Sequence, residues 1–320
     1  MAKSATNSAV SPPALGCEGS PKVDPPFHDF LPIEWVHIPK TGTSFLDTLT
    51  HLPGACPCCP ANLRDYGVFE PGCCNAKVFD TRFFVDAVHP GIEDLPGGFE
   101  AGKGRFMTFM RQPEQRFLSM VHYVVDGNDT ETITKPDMTL DDKKVFFAGW
   151  ATKMLVRGGK RLPLSSHDST FLERHIDLTK PARFKRVPYE PLVGTAWESF
   201  NQDYGGWLFP LSVSQDEVEE AKMRLRTGFS FIGMTEKWEL SICLFNVMLN
   251  QTCCADQFLN FRPTYGNHQT TYDTAVLNGW RDPYDNELFN VATEVFEANL
   301  KRYNVSEVSC QRCWREAGVR

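Results

Sequence analysis

Four short apolar runs, IEWVHI (33–38), RFFVDAV (82–88), RFMTFM (105–110) and FSFIGM (229–234), are set apart by longer stretches in which apolar residues return every three or four positions. Strands buried on both faces read as unbroken apolar runs, and parallel neighbours need helical crossovers between them. The alternation therefore predicts an α/β fold around a central, mostly parallel sheet flanked by helices. The helical stretches carry their own signals. Pro113 suits a first turn and leads Phe117, Met120, Val121, Val124 and Val125 at helical spacing. Ser214 and Glu217 form a capping-box pattern before a charged helix that runs to about residue 227. After Thr235, one stripe holds Trp238, Ile242, Phe245 and Leu249 and a second holds Leu240, Leu244 and Val247, so that helix is expected to be buried on two sides. A last helix over about 285–303 places Leu288, Val291, Ala292, Val295, Phe296 and Leu300 on one face.

At 320 residues with 42% hydrophobic content, the chain can bury one large core. Residues 27–320 are read as a single domain, and the Ser-, Ala- and Pro-rich residues 1–26 as a flexible leader. A net charge of -7 argues against a nucleic-acid partner, although a local basic cleft can coexist with an acidic surface. No run approaches the roughly 18 to 20 apolar residues of a membrane span, and the first residues lack the apolar core of a signal peptide. Nine of the eleven cysteines cluster as ACPCCP, GCCN, Cys253–Cys254 and CQRC. Three readings stay open for them: disulfides stapling a cysteine-rich insert at about 53–75 and the C-terminal tail, inert thiols, or a structural zinc whose spacing matches no common finger. Asn128, Asn250 and Asn304 each open an Asn-X-Ser/Thr triplet, which matters only in a secreted chain.

The chemistry is concentrated where the first apolar run meets PKTGTS and then a helix beginning Phe45, Leu46. A strand entering a Gly-containing turn before a helix presents backbone N–H groups to an anion. The order of residues excludes a Walker A loop, which needs Gly-Lys-Ser/Thr after four spacer residues so that a hydroxyl can bind magnesium. Here Lys40 precedes Gly42.

That loop resembles the 5′-phosphosulfate loop of sulfotransferases that use 3′-phosphoadenosine 5′-phosphosulfate. HIPKTGTSF is especially like the heparan sulfate 2-O- and 6-O-sulfotransferase group. FMTFMRQPEQRFLSMVHY (106–123) is similar to the family's 3′-phosphate element, with Arg111 at a strand end and Ser119 on the second turn of the following helix. FIGMTEKWELSICLF and DNELFNVATEVFEANLKRY extend the likeness, which covers roughly 33–303 and leaves the cysteine-rich insert unmatched. FFAGWATKMLVRGG departs from it, since Trp150 and Thr152 stand near where the family has polar amides.

The resemblance implies a P-loop-NTPase-like sulfotransferase fold and transfer of a sulfuryl group from 3′-phosphoadenosine 5′-phosphosulfate, with no metal required. It implies that Lys40, Thr41, Gly42, Thr43, Ser44 and Phe45 wrap the 5′-phosphosulfate and that Arg111 and Ser119 grip the 3′-phosphate, a task suited to a forked guanidinium. Lys40 then stabilises the charge that grows on the leaving phosphate. The general base is expected to be His89, placed where the 2-O and 6-O enzymes carry their catalytic histidine. Arg262, in the polar loop FRPTYGNHQTT, is a further candidate nucleotide contact. His37 is expected to be a hydrogen-bonded core residue, Arg116 a structural residue paired with an acid such as Glu114, and Glu93 and Asp94 solvated loop charges. The expected acceptor is a carbohydrate hydroxyl; a small hydroxylated metabolite is the alternative, and an inactive carbohydrate-binding relative is the non-enzyme alternative. Family members reside in the Golgi, whereas the absence of a readable signal or anchor leaves the cytoplasm open. Acceptor identity, cysteine pairing and oligomeric state have no motif in the sequence.

Overall fold

A computed structural model describes residues 30–52, 54–56, 74–75, 77–78, 91–95, 97–126, 139–157, 160–161, 207–208, 213–260 and 271–319. Among these residues the fold is α/β, with three parallel strands flanked by helices. The strands are β1 (Glu34–Trp35), β2 (Phe106–Met110) and, after the short antiparallel pair β3 (Lys160–Arg161) and β4 (Trp207–Leu208), β5 (Phe229–Met234). The sheet order is β1-β2-β5, with Trp35 opposite Met107 and Met110 opposite Met234. Regular β1 is shorter than the run 33–38, yet its path continues along β2: Val36 N donates to Met107 O at 2.9 Å and Thr108 Oγ1 donates to Val36 O at 2.7 Å. The run at 82–88 lies outside the described residues.

The helices are α1 (Phe45–Thr50), α2 (Gly98–Gly102), α3 (Pro113–Asp126), α4 (Leu140–Phe147), α5 (Trp150–Val156), α6 (Gln215–Gly228), α7 (Trp238–Met248), α8 (Asp285–Arg302) and α9 (Gln311–Glu316). The expected capping box at the start of α6 is present, with Ser214 and Glu217 satisfying each other's backbone N–H groups. Both apolar stripes of α7 are largely covered, from Ile242 and Phe245 to Leu244, while Val247 is exposed. Phe45 sits at the centre of the core, with ring centroids 4.8 Å from Phe109, 5.6 Å from Phe231 and 5.0 Å from Phe245. Burying one such ring is worth about 1.5–3 kcal/mol, so this cluster fixes α1, and the turn before it, against β2, β5 and α7.

The described cysteines pair: Cys56 with Cys74, Cys243 with Cys310, and Cys253 with Cys313. Cys254 is disulfide-bonded as well. These pairings remove the zinc and inert-thiol readings for the cysteines concerned, and two of the bridges tie α9 to α7 and the segment after it. Among the described residues no helix is long and apolar enough to cross a membrane.

Behind α3 lies a buried ionic layer. Arg116, 2% exposed, pairs with Asp285 at 3.1 Å and also donates to Phe147 O. It is structural as expected, but its partner is not Glu114. Glu114 is turned instead to Asp282 N at 3.0 Å and Asn286 Nδ2 at 2.7 Å, and so joins the first turn of α3 to the start of α8. Asp285 also accepts from Ala151 N, Thr152 N and the Thr152 hydroxyl, capping α5 from outside. Trp150 and Thr152 are therefore core residues of this junction.

Candidate functional site

In an open parallel sheet, ligands bind beyond the carboxyl ends of the strands, where the chain leaves for its crossovers. All three strands deliver their candidate residues to that edge. The chain from β1 continues through His37 and Ile38 into the turn 39–44; β2 ends at Met110 and passes directly to Arg111; β5 ends at Met234 and passes to Thr235.

These ends are stitched together. Arg111 Nη1 donates to Lys40 O at 3.3 Å. The Thr235 hydroxyl lies 2.6 Å from Thr41 O and 3.1 Å from Met110 O, so a single side chain spans the strand ends. The Thr41 hydroxyl donates to Ile38 O at 2.7 Å and closes the entry to the turn. His37, buried and stacked on Trp35 at 4.2 Å, places Nε2 3.1 Å from Thr43 Oγ1. It is a hydrogen-bonded buried residue as expected, with the loop hydroxyl as its partner.

The backbone of the loop is unusual. Lys40 has φ 67° and Gly42 φ 120°, both in territory that side-chain-bearing residues avoid. A left-handed lysine costs on the order of 1–2 kcal/mol and persists only where its surroundings over-determine it. Here those surroundings are the Arg111 bond to its carbonyl and the Thr41 bond one residue on. At Gly42 a Cβ would lie 2.7 Å from Cζ3 of Trp238, so the indole of α7 forms a wall against the bare glycine. Trp238 is itself held by Phe109, 4.6 Å between centroids, and by its Nε1 donating to Gln257 O at 3.1 Å.

Lys40, Gly42, Thr43 and Ser44 are half-buried. Phe45 contributes its ring to the core, and its N–H donates to Gly42 O at 3.0 Å within the turn, which makes it the loop's anchor.

On the α3 side, Arg111 is 9% and Ser119 3% exposed. Burial lowers the Arg111 pKa, with Tyr272 and Glu236 opposing the shift; a guanidinium nevertheless stays cationic at any working pH. Its Cζ lies 5.6 Å from the centroid of the Tyr272 ring. Tyr272 is docked on α3 by a side-chain amide that imitates a strand: Gln115 Nε2 donates to Tyr272 O, and Tyr272 N donates to Gln115 Oε1, each at 2.8 Å. Its ring stacks on His122 at 4.8 Å, which settles the direction of that histidine.

The structure thus brings Lys40, Thr41, Gly42, Thr43, Ser44, Phe45 and Arg111 into one neighbourhood, with Ser119 on the same helix as the continuation of Arg111. His89 and Arg262 lie outside the described residues. Glu93 pairs with Arg224 and Asp94 caps Gly91 N, so both acids have structural partners. Arg157 pairs with Glu217 across α5 and α6. Thr235, Trp238, Gln115 and Tyr272 were not singled out as site residues in the sequence. The Met-Thr-Glu sequence following an apolar strand was a signal for Thr235, whereas nothing local marks Tyr272. No family model matches the chain, and comparisons with curated proteins and with solved structures find no match.

Proposed function

We propose that the chain is a sulfotransferase with a P-loop-NTPase-like fold, transferring the sulfuryl group of 3′-phosphoadenosine 5′-phosphosulfate to a carbohydrate hydroxyl. The observation that carries this reading is the Arg111 bond to the Lys40 carbonyl at 3.3 Å. Two segments, each suited to one phosphate of a bisphosphorylated nucleotide, meet at the carboxyl edge of one sheet. The loop 40–44 receives the 5′-phosphosulfate, and Arg111 with Ser119 receives the 3′-phosphate through charge-assisted donors.

In the reaction the acceptor oxygen attacks sulfur in line as the sulfur–oxygen bond to the 5′-phosphate breaks. The nucleotide bisphosphate leaves with the bonding pair, and the hydroxyl proton passes to His89. Such transfers have loose transition states, so catalysis rests on alignment and on charge stabilisation at the leaving oxygen. Lys40 is suited to the second task because its ammonium interacts more strongly with the developing charge than with the ground state. The left-handed backbone at Lys40 and the Gly42–Trp238 contact support the first, holding the turn in one shape before the nucleotide arrives.

The test is turnover of the phosphosulfate donor with a panel of glycans and small hydroxylated compounds. Sulfation of a glycan, lost by at least about 100-fold in Lys40→Ala with the fold intact, is the expected result. Transfer confined to small compounds moves the acceptor class, and no transfer to any acceptor by a folded, nucleotide-binding protein refutes the enzymatic reading.

A further inference from the structure

Two of the Asn-X-Ser/Thr triplets fall within the described residues, Asn250-Gln-Thr252 and Asn304-Val-Ser306, and the fold gives them the same setting. Asn250 follows α7 and Asn304 follows α8. Each has a left-handed backbone, φ 51° and 54°, and each closes the last helical turn with its N–H, onto Val247 O and Lys301 O, both at 3.2 Å. Asparagine is one of the few residues that take this helix-ending position readily, and there the chain turns away from the helix axis. Both asparagines are exposed, as are Thr252 and Ser306.

Both triplets also adjoin structural disulfides. Cys253, next to Thr252, is bonded to Cys313, and Cys310, shortly after Ser306, is bonded to Cys243 with both residues buried. Bridges of this kind form and persist in oxidising compartments, where exposed Asn-X-Ser/Thr triplets are acceptors for glycans.

From these observations we propose that Asn250 and Asn304 are N-glycosylated. In each case the side-chain amide nitrogen attacks C1 of an oligosaccharide carried on a lipid diphosphate. The nitrogen–carbon bond forms, the C1–oxygen bond to the diphosphate breaks, the lipid diphosphate leaves with the electron pair, and the amide proton passes to a base of the transferring enzyme.

The placement suits a working enzyme. α7 begins at Trp238 against Gly42, and α8 begins beside Glu114 in the first turn of α3. At 1.5 Å per residue, the acceptor asparagines lie about 15–30 Å along these helices from the site edge, so glycans there leave the loop 40–44 open. The inference is independent of the sulfotransferase reading.

The experiment is the intact mass of the full chain made in a eukaryotic cell, before and after treatment with a peptide N-glycosidase. Wild type, Asn128→Gln, Asn250→Gln, Asn304→Gln and the Asn250→Gln/Asn304→Gln double variant are compared, and the Cys253–Cys313 peptide is mapped in the same material. The expected result is one glycan lost from each of the two single variants and both from the double variant, with the disulfide intact. Thr252→Ala and Ser306→Ala, which keep the asparagines, give the same losses. A wild-type mass equal to the bare polypeptide overturns the proposal, as does glycan that survives the double variant and vanishes only with Asn128→Gln. A glycan at a single one of the two positions overturns it for the other.

Discussion

Gly42→Ala is the sharpest perturbation of the loop, because two separate costs can be read from the structure. The first is steric: the new Cβ lies 2.7 Å from Cζ3 of Trp238, against the 3.5 Å or so of an ordinary carbon contact. Trp238 cannot retreat freely, since it packs against the tilted Phe109 ring and its Nε1 donates to Gln257 O. Overpacking of this kind costs about 1–3 kcal/mol. The second cost is conformational: φ 120° lies outside the territory of L side chains, at on the order of 1–3 kcal/mol. The loop relieves both by leaving the geometry proposed to accept the nucleotide, and a loss of at least about 2 kcal/mol at the site corresponds to roughly 30-fold in dissociation constant. Titration calorimetry with adenosine 3′,5′-bisphosphate measures this directly. Trp238→Leu in the same chain removes the steric part alone, so the double variant recovers about 1–3 kcal/mol of coupling but not wild-type affinity. Unchanged affinity in Gly42→Ala, or strict additivity with Trp238→Leu, refutes the argument that this contact shapes the loop.

Other expectations concern the layers that support the site. Thr235→Val leaves the carbonyls of Thr41 and Met110 without their shared donor and is expected to lower unfolding free energy by about 1–3 kcal/mol in denaturant melts, with a larger effect on nucleotide affinity than a surface substitution has. Asp285→Asn leaves the Arg116 charge buried and unpaired, and should destabilise by about 3–5 kcal/mol in the same assay. Lys153 is buried and its pKa is lowered by burial to about 8 from 10.5. Between those values the unfolded chain binds the extra proton, so stability should rise as pH climbs from about 8 to 10.5, by at most about 3 kcal/mol, and Lys153→Met should abolish that slope in melts across the range. Reduction of Cys243–Cys310 and Cys253–Cys313, which close long loops, should lower unfolding free energy by about 2–5 kcal/mol under mild reductant.

Much of the scaffold was legible because periodicity reports burial. The apolar runs at 105–110 and 229–234 became adjacent parallel strands, and the capping pair Ser214–Glu217 marked the start of α6 to the residue. The first run was less transparent: only Glu34 and Trp35 keep regular strand geometry, because the chain beyond them is bending into the turn that carries Lys40. The neighbourhood of Lys40 and Arg111 was legible from the two motifs that carry them, whereas the side chains that join the strand ends were not. Thr235 and Tyr272 act through contacts with residues 194 and 157 positions away, and no local pattern announces such partners. Arg116 shows the same limit: its pairing with an acid was readable from the sequence, but its choice of Asp285 over Glu114 depends on how α8 docks.

The central claim is that one bisphosphorylated nucleotide bridges the loop at 40–44 and the guanidinium of Arg111. Calorimetric titration of the full chain with adenosine 3′,5′-bisphosphate against 5′-AMP, repeated with Arg111→Ala, tests it most directly. A preference for the bisphosphate that disappears in the arginine variant is what the account predicts; equal affinity for the two nucleotides, or a preference that survives the substitution, contradicts it.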